Sequence, residues 1–221
     1  MGKFIVIEGT DCSGKETQSK KIVKKLNDLG KKAIYLSFPN YETPTGKIVG
    51  GPYLGKEEIS HSYFTEGAVN VDPKVASLYY AADRYYNLKE IKNYLSEDYI
   101  VILDRYVSSN QGHQAGKLKT KEERDEMYEW IYNLEYNVMG LLKPDITYFL
   151  HMPATYSFEL TKNRLSLDEL EKSIDHLRDA EYAYLELKDK YNFIYIPCTN
   201  SEGLRAIDEI NDELFDKIVT N

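Results

Sequence analysis

The seven residues Gly9-Thr10-Asp11-Cys12-Ser13-Gly14-Lys15 fit the spacing G-x-x-x-x-G-K, which suits a loop that holds a chain of phosphates. Glycines let the backbone curl until its N–H groups point inward at anionic oxygens. A helix opening near Gly14 adds its free N–H groups and the positive end of its dipole. Lys15 supplies a mobile point charge for β- and γ-phosphates. After the lysine such a loop ordinarily carries Ser or Thr, whose hydroxyl ligates Mg²⁺. Here the position is Glu16, with Thr17 next. A carboxylate is also an oxygen ligand for Mg²⁺, but it is larger and adds negative charge near the phosphates. Three arrangements follow: Glu16 helps hold the metal, Thr17 takes that place, or the metal site is degenerate. Glu16 can equally be an exposed first-turn residue stabilised by the helix dipole. The expectation is Thr17 near the metal.

Two further groupings carry chemistry. Four apolar residues, Ile100 to Leu103, run into Asp104-Arg105-Tyr106. An acid at a strand end can hold Mg²⁺, often through water, and the adjacent arginine can clamp a phosphate with two parallel N–H groups. Tyr80 and Arg84 stand four apart on a helical pattern, on one face with Ser77 and Asn87. An aromatic ring beside a guanidinium can stack on a base and donate to its carbonyls; stacking of that kind is worth roughly 1–3 kcal/mol in single-strand binding. Val75, Leu78 and Ala82 point to a different, apolar face. Against this reading, a helix in a chain with 20 tyrosines can simply pack its rings.

The elements that must position these groups are legible as periodicities. Residues 3–8, 32–38, 99–104, 145–151 and 192–197 are short apolar runs bounded by turn residues, and read as strands. Residues 14–29 are helical, with Ile22, Val23, Leu26 and Leu29 on one stripe and Gly30 ending it. Asp72 with Pro73 opens a long helix to about Ser96. Residues 119–142 read as one helix with Met127, Ile131, Leu134 and Val138 as its stripe. Residues 41–67 are the least regular stretch. Strands alternating with helices predict an α/β fold in three layers: a five-stranded parallel sheet with helices on both faces. Ligands of such sheets bind beyond the carboxyl ends of the strands, where the groups above fall. One domain over residues 1–221 is expected.

Composition narrows the partners. The net charge of -8 disfavours nucleic acid, whose binding rests on neutralising phosphates with Lys and Arg. One small anion can still be held by a few local cations and oriented N–H groups. Two cysteines, Cys12 and Cys198, share no metal-ligand spacing and suit a reducing, cytoplasmic compartment. The first strand begins three residues from the N-terminus and leaves no room for a signal peptide. No apolar stretch nears the roughly 20 residues of a membrane span.

With these residues in hand a resemblance becomes specific. The segments F-I-V-I-E-G-T-D-C-S-G-K-E-T-Q, S-F-P, Y-Y-A-A-D-R and D-R-Y-V-S-S-N-Q-G-H-Q resemble the thymidylate kinase family in order and spacing, from about Lys3 to Tyr195. The Asp inside the loop, the Phe-Pro after the second strand and the D-R-Y triplet narrow a nucleotide site to this family. The resemblance implies that Gly9 through Thr17 surround the phosphates of ATP. It implies a dTMP site in which Asp11 contacts the 3′-hydroxyl, Phe38 and Pro39 flank the acceptor, Tyr80 stacks on thymine and Arg84 reaches its carbonyl. Arg105 matches the arginine bridging acceptor and donor phosphates, and Asn110 and Gln114 fall where polar groups contact base or sugar. His113 stands where many members have a tyrosine under the 2′ position, and Tyr41 where some carry a phosphate-binding arginine.

The resemblance further implies a lid closing over the phosphates, at about residues 158–177, with an arginine in the lid or in the loop. The loop position is Cys12, so the lid must supply it. Among Lys162, Arg164, Lys172 and Arg178, the best match is Arg164, though it can also be a solvated cation at a helix end. The implied reaction is ATP and dTMP to ADP and dTDP in dTTP biosynthesis, with Mg²⁺ held near Thr17 and Asp104 and with Lys15, Arg105 and Arg164 neutralising charge. A homodimer is also implied. Three rival readings remain: a kinase for another deoxynucleoside monophosphate or a deoxynucleoside, a nucleotide-binding protein that has lost catalysis, and a P-loop ATPase or GTPase switch. The base-facing Tyr80 and Arg84 argue against the last.

Overall fold

Each of the five apolar runs forms a strand in the structure, a computed structural model that describes residues 2–161, 170 and 173–220. These are β1 (Lys3–Gly9), β2 (Ala33–Ser37), β3 (Ile100–Asp104), β4 (Ile146–His151) and β5 (Ile194–Pro197). All pair in parallel in the order β2-β3-β1-β4-β5. The chain leaves β1 toward one edge, returns to place β3 beside β1, then crosses to β4 on the other side. β1 is therefore the point at which strand order reverses, and the segment after it lies where such sheets receive ligands.

Alternation along the strands divides the core in two. Phe4, Val6, Val101 and Leu103 face a layer made by α3 (Pro73–Ser96), α4 (Val107–Ala115), α5 (Lys121–Tyr132) and α7 (Ile174–Tyr191), through Leu88, Ile91, Val107, Met127, Ile131 and Leu187. Ile5, Ile7, Ile102 and Leu150 face α1 (Lys15–Asp28) and α8 (Ile207–Thr220), through Ile22, Leu26, Ile210 and Leu214. With both faces covered, the strands read as near-continuous apolar runs rather than alternating ones. Fully burying one such aliphatic side chain is worth roughly 1.5–3 kcal/mol. No helix among the described residues is long and apolar enough to cross a membrane.

Local chemistry sets the helix starts. Asp72 caps α3, its Oδ1 accepting from the N–H groups of Lys74 and Val75, with Pro73 in the first turn. Thr120 and Glu123 form a reciprocal capping box at α5.

Three sequence expectations change. The helix expected over residues 119–142 ends at Tyr132 and continues as a π-helical segment, Asn133–Val138. The buried residue following Met127 and Ile131 is Glu135, four further on, while Val138 is exposed. Residues 41–67 contain α2 (Pro44–Ile48) and a π-helical segment, Val49–Tyr53. They build a third cluster in which Val49, Tyr53 and Leu54 pack with Ala68, Val71, Ala76 and Leu170. On α3, Ser77, Arg84 and Asn87 are buried, whereas Val75, Leu78, Tyr85 and Tyr86 remain exposed. Half of the lid expected over residues 158–177, namely 162–169, 171 and 172, falls outside the described residues. What is described comprises the end of α6 (Ala154–Thr161), Leu170 and the start of α7.

Candidate active site

β1 ends where the phosphate loop begins, and the loop is shaped by close approach and by bonds to distant backbone. A Cβ on Gly9 would lie 2.5 Å from the Leu150 carbonyl oxygen and 2.6 Å from Ser13 Oγ, so only glycine fits against β4. Gly14 has φ +77° and caps α1 from the left-handed region. Thr10 Oγ1 donates to the Met152 carbonyl and accepts from its N–H, at 2.7 and 2.8 Å. Ser157 Oγ donates to the Asp11 carbonyl at 2.5 Å. Lys15 Nζ is buried and donates to the Thr10 carbonyl at 2.7 Å and to Ser13 Oγ at 3.3 Å. Burial first, and Arg105 second, push Lys15 down to about 8, against the pull of Asp11 and Asp104.

β3 delivers Asp104 and Arg105 beside the loop. Arg105 has φ 67°, a left-handed conformation uncommon outside glycine. It turns the chain so that Tyr106 and Ser109 can donate backbone N–H groups to Glu8 Oε1 at 2.8 and 3.1 Å. Ser109 Oγ also donates to Glu8 Oε2, at 2.6 Å. Glu8 is thus a buried carboxylate at the N-terminus of α4, where N–H groups and helix dipole favour it. Burial nevertheless dominates and raises its pKa.

Arg105 Nη2 donates to Asp11 Oδ1 at 2.5 Å. Burial works against the Asp11 anion, but Arg105, with His113 and Lys15 behind it, outweighs it and holds Asp11 well below the ordinary carboxylate range. Asp104 is pushed up, chiefly by burial, with Lys15 and Arg105 opposing. Its Oδ1 is buried with no hydrogen-bond partner, and its Oδ2 lies 3.4 Å from the Tyr35 hydroxyl. Thr17 lines the same cavity. An orphaned carboxylate oxygen beside a hydroxyl fits a hard cation such as Mg²⁺. Among the described residues no group of three or more His, Cys, Asp or Glu side chains could hold a metal ion, so the remaining ligands would be water and phosphate. Glu16 is largely exposed, and its Oε1 accepts from Lys20 Nζ at 2.5 Å.

The acceptor side is built from side chains of elements far apart in sequence. Arg84 is 2% exposed and paired with Glu135, which is fully buried. Arg84 Nε donates to Glu135 Oε2, and Nη2 donates to Oε1 at 2.6 Å. This fork fixes the guanidinium plane. Asn110 Nδ2 joins the pair, donating to Glu135 Oε1 at 2.9 Å and to the Ser77 carbonyl at 3.2 Å. Asn110 Oδ1 and both amide atoms of Gln114 are buried without partners. Tyr80 meets Tyr53 edge-on, with centroids 5.7 Å apart. Asp83 shapes the turn after β2, its Oδ2 accepting from Asn40 N at 2.8 Å and its Oδ1 from Thr45 Oγ1 at 2.8 Å. That turn carries Phe38 and Pro39.

One cavity of about 360 Å³ joins the two sides. Asp11, Cys12, Gly14, Lys15, Glu16 and Thr17 line it from the loop, and Phe38, Pro39, Tyr80, Arg84, Asn110 and His113 from the acceptor side. Asp104 and Arg105 stand between them. Gly9, Thr10 and Ser13 lie behind the loop surface and shape it, and Gln114 is not among the lining residues. Arg164 lies outside the described residues. Sequence reasoning missed Glu8, Glu135, Ser109, Asp83 and Lys56. Lys56 lines the cavity with its ammonium 5.1 Å above the Tyr41 ring. Only Glu8 had a local signal, an acid closing an apolar strand directly before the loop.

Comparison with known proteins agrees with this geometry. The thymidylate kinase family model matches residues 7–207. A thymidylate kinase of Plasmodium falciparum is 28% identical over 218 residues, covering 98% of this chain and 90% of that protein. A probable thymidylate kinase of Methanocaldococcus jannaschii is 32% identical, covering 96% and 93%. The solved structure of thymidylate kinase from Candida albicans shares the fold, with a TM-score of 0.76 at 24% identity over 100% of this chain and 92% of that one. A match across most of the chain, on a fold that brings the loop, Arg105 and the Tyr80–Arg84 helix around one cavity, places this chain in the thymidylate kinase family.

Proposed function

We propose that this protein transfers the γ-phosphoryl group of ATP to dTMP, giving ADP and dTDP. The observation that carries the reading is one cavity lined at once by Lys15, Arg105, Tyr80 and Arg84. Such a cavity can hold a polyphosphate at one end and a base at the other, with their phosphates meeting at Arg105. The donor loop receives the ATP phosphates on its N–H groups and on Lys15. Tyr80 stacks on the base. Arg84, its plane fixed by Glu135, presents its remaining N–H groups to a base carbonyl. Asp11 and Arg105 hold the sugar and the acceptor phosphate.

The acceptor oxygen attacks the γ-phosphorus in line and the bond to the β-phosphate oxygen breaks. The acceptor phosphate is already ionised, so the reaction needs neither a strong base nor a covalent intermediate. Positioning and charge neutralisation by Lys15 and Arg105 carry the catalysis. Mg²⁺, held by Asp104 and Thr17, would neutralise charge on the β- and γ-phosphates. Glu16, engaged with Lys20, stands outside this machinery. The segment around residues 158–177 acts as a lid, and Arg164 is its cation toward the transferring group. The exposed apolar face of α3, with Val75, Leu78, Tyr85 and Tyr86, suits a homodimer contact, and a content of two cysteines suits a reducing cytoplasm.

A coupled ADP-release assay with dTMP, dUMP, dCMP, dGMP and thymidine tests the reading. The expected result is the highest kcat/KM on dTMP. Absence of acceptor-dependent ADP release from every compound would overturn the kinase assignment, and preference for another compound would overturn the assignment of dTMP.

A further inference from the structure

His113, which lines the cavity, and the buried His176 beside it have no part in the phosphoryl transfer described above. His113 on α4 and His176 in the first turn of α7 stack with centroids 5.5 Å apart and planes 21° apart. His113 Nδ1 lies 3.2 Å from His176 Nε2. On its other side, His113 Nε2 lies 3.3 Å from Arg105 Nη1, and Arg105 Nη2 reaches Asp11. Four residues from the phosphate loop, the end of β3, α4 and α7 form one chain of contacts.

The proton positions in this chain are determined. A guanidinium has donors only, so His113 Nε2 must accept from Arg105. The one proton of a neutral His113 then sits on Nδ1 and points at His176 Nε2. His176 Nε2 must accept in turn, which leaves its own proton on Nδ1. A second proton on His113 would face the Arg105 donor. A second proton on His176 would face the His113 donor. The arrangement holds only with both rings neutral.

The surroundings keep them so. Facing the pair are the cations Arg105 and Lys15, with Lys117 just beyond α4, and the anions Asp11 and Asp179. Tyr184 of α7 meets the His113 ring edge-on at 5.8 Å. Burial holds His113 down to about 3 and His176 down to about 4, against the pull of Asp11; Arg105 and Lys15 add to burial at His113, and Lys117 at His176.

We propose that His176 is a positioning residue for the acceptor phosphate: through the proton it accepts from His113 it fixes the direction of the Arg105 guanidinium. The proposal rests on the assignment of Arg105 to that phosphate. It gives α7, the helix that follows residues 162–172, a mechanical connection to the clamp between the two substrates. Because Arg105 has a left-handed backbone and its side chain is partly exposed, at 23%, its aim depends on such side-chain partners.

Imidazole nitrogen chemical shifts of the wild-type protein at pH 7 test the chain of contacts without reference to activity. The expected pattern is His113 protonated on Nδ1 only, with His176 neutral. A His113 proton on Nε2, or a charged His176, would overturn the proposal. Steady-state kinetics then test the positioning, using whichever acceptor of the nucleotide panel releases ADP. His176→Phe should raise KM for the acceptor about tenfold and leave KM for ATP within about twofold, from lost binding of one substrate only. His176→Gln, whose side-chain oxygen can accept from His113, should restore most of the loss. An unchanged acceptor KM in His176→Phe, or equal losses for both substrates, would count against it. If no compound in the panel is an acceptor, the function reading fails, and the nitrogen shifts alone decide whether His176 orients Arg105. The shifts decide likewise if His176→Phe does not fold.

Discussion

The two ends of the cavity are made differently. The proposed donor end is one contiguous loop with its backbone curled around the site, pinned by Thr10 to Met152 and by Ser157 to Asp11. The acceptor end is a set of side chains from α3, α4 and the segment after α5, held by the buried Arg84–Glu135 pair and by Asp83. A backbone site tolerates many side-chain changes but few changes of path. A side-chain site fails when one partner is lost. Stability and binding are therefore expected to respond to substitution in opposite ways at the two ends.

The sharpest way to break this contrast is Glu135→Ala, which leaves Arg84 buried with no counter-charge. Removing one partner of a buried pair destabilises by about 3–5 kcal/mol, so denaturant unfolding should move by that amount. An unchanged midpoint would show that the acceptor end does not depend on the pair. Lys15→Met should lower kcat by about 10²–10³, or roughly 2.7–4 kcal/mol by analogy with loss of one charge-stabilising donor. Its unfolding midpoint should stay close to wild type, because the unpaired ammonium is disfavoured by its own burial. Loss of stability without loss of kcat would reverse the contrast.

The histidine pair predicts a pH effect. Both rings are neutral in the folded chain, whereas in the unfolded chain each takes a proton near pH 6.5. Stability is therefore intact above about 6.5 and is lost as pH falls toward the folded values of about 3 and 4. Between pH 7.5 and pH 5 the loss should be about 2 kcal/mol per histidine, and a double variant with asparagine at both positions should show a flatter profile. A wild-type profile already flat over that range would remove the pair from the stability of the site. Arg164→Ala should lower kcat at least about tenfold, near 1.4 kcal/mol; a smaller effect would mean that another cation faces the transferring group. The smallest effect belongs to Glu16→Ala, which removes only an exposed bond to Lys20 and should shift stability by less than about 0.5 kcal/mol. A changed Mg²⁺ dependence in that variant would return Glu16 to the metal site.

The donor end was readable in the sequence because its geometry is local. A strand, a glycine-bounded loop and a helix within about twenty residues carry their own spacing rule, and the structure places Lys15 and Thr17 on the cavity accordingly. All five strands were readable for the same reason. The acceptor end was readable only in part. Tyr80 and Arg84 share a helix face and could be paired on paper. The Arg84–Glu135 contact closes across 51 positions and His113–His176 across 63, and no local pattern announces either. Glu135 was further hidden by its charge: it falls four residues after Ile131 on the buried face, where a search for apolar residues selects Leu134 instead. Residues 41–67 hid a buried cluster because their apolar members, such as Val49 and Tyr53, are spaced by contacts to α3 rather than by any period of their own.

The strand order has a consequence for how the protein breathes. β1 has a neighbour on each side, β3 and β4, while β2 lies at the edge and pairs with β3 alone. Local opening is least costly where the fewest bonds must part, so amides of Ile5 to Ile7 should exchange with solvent hydrogen last, and those of β2 much sooner. The loop proposed to receive ATP is hung from the strand expected to exchange slowest. The Phe38–Pro39 turn hangs from a strand that can peel away by losing one partner. Opening at β2 would thus move the Phe38–Pro39 turn while β1 and the loop after it stay folded.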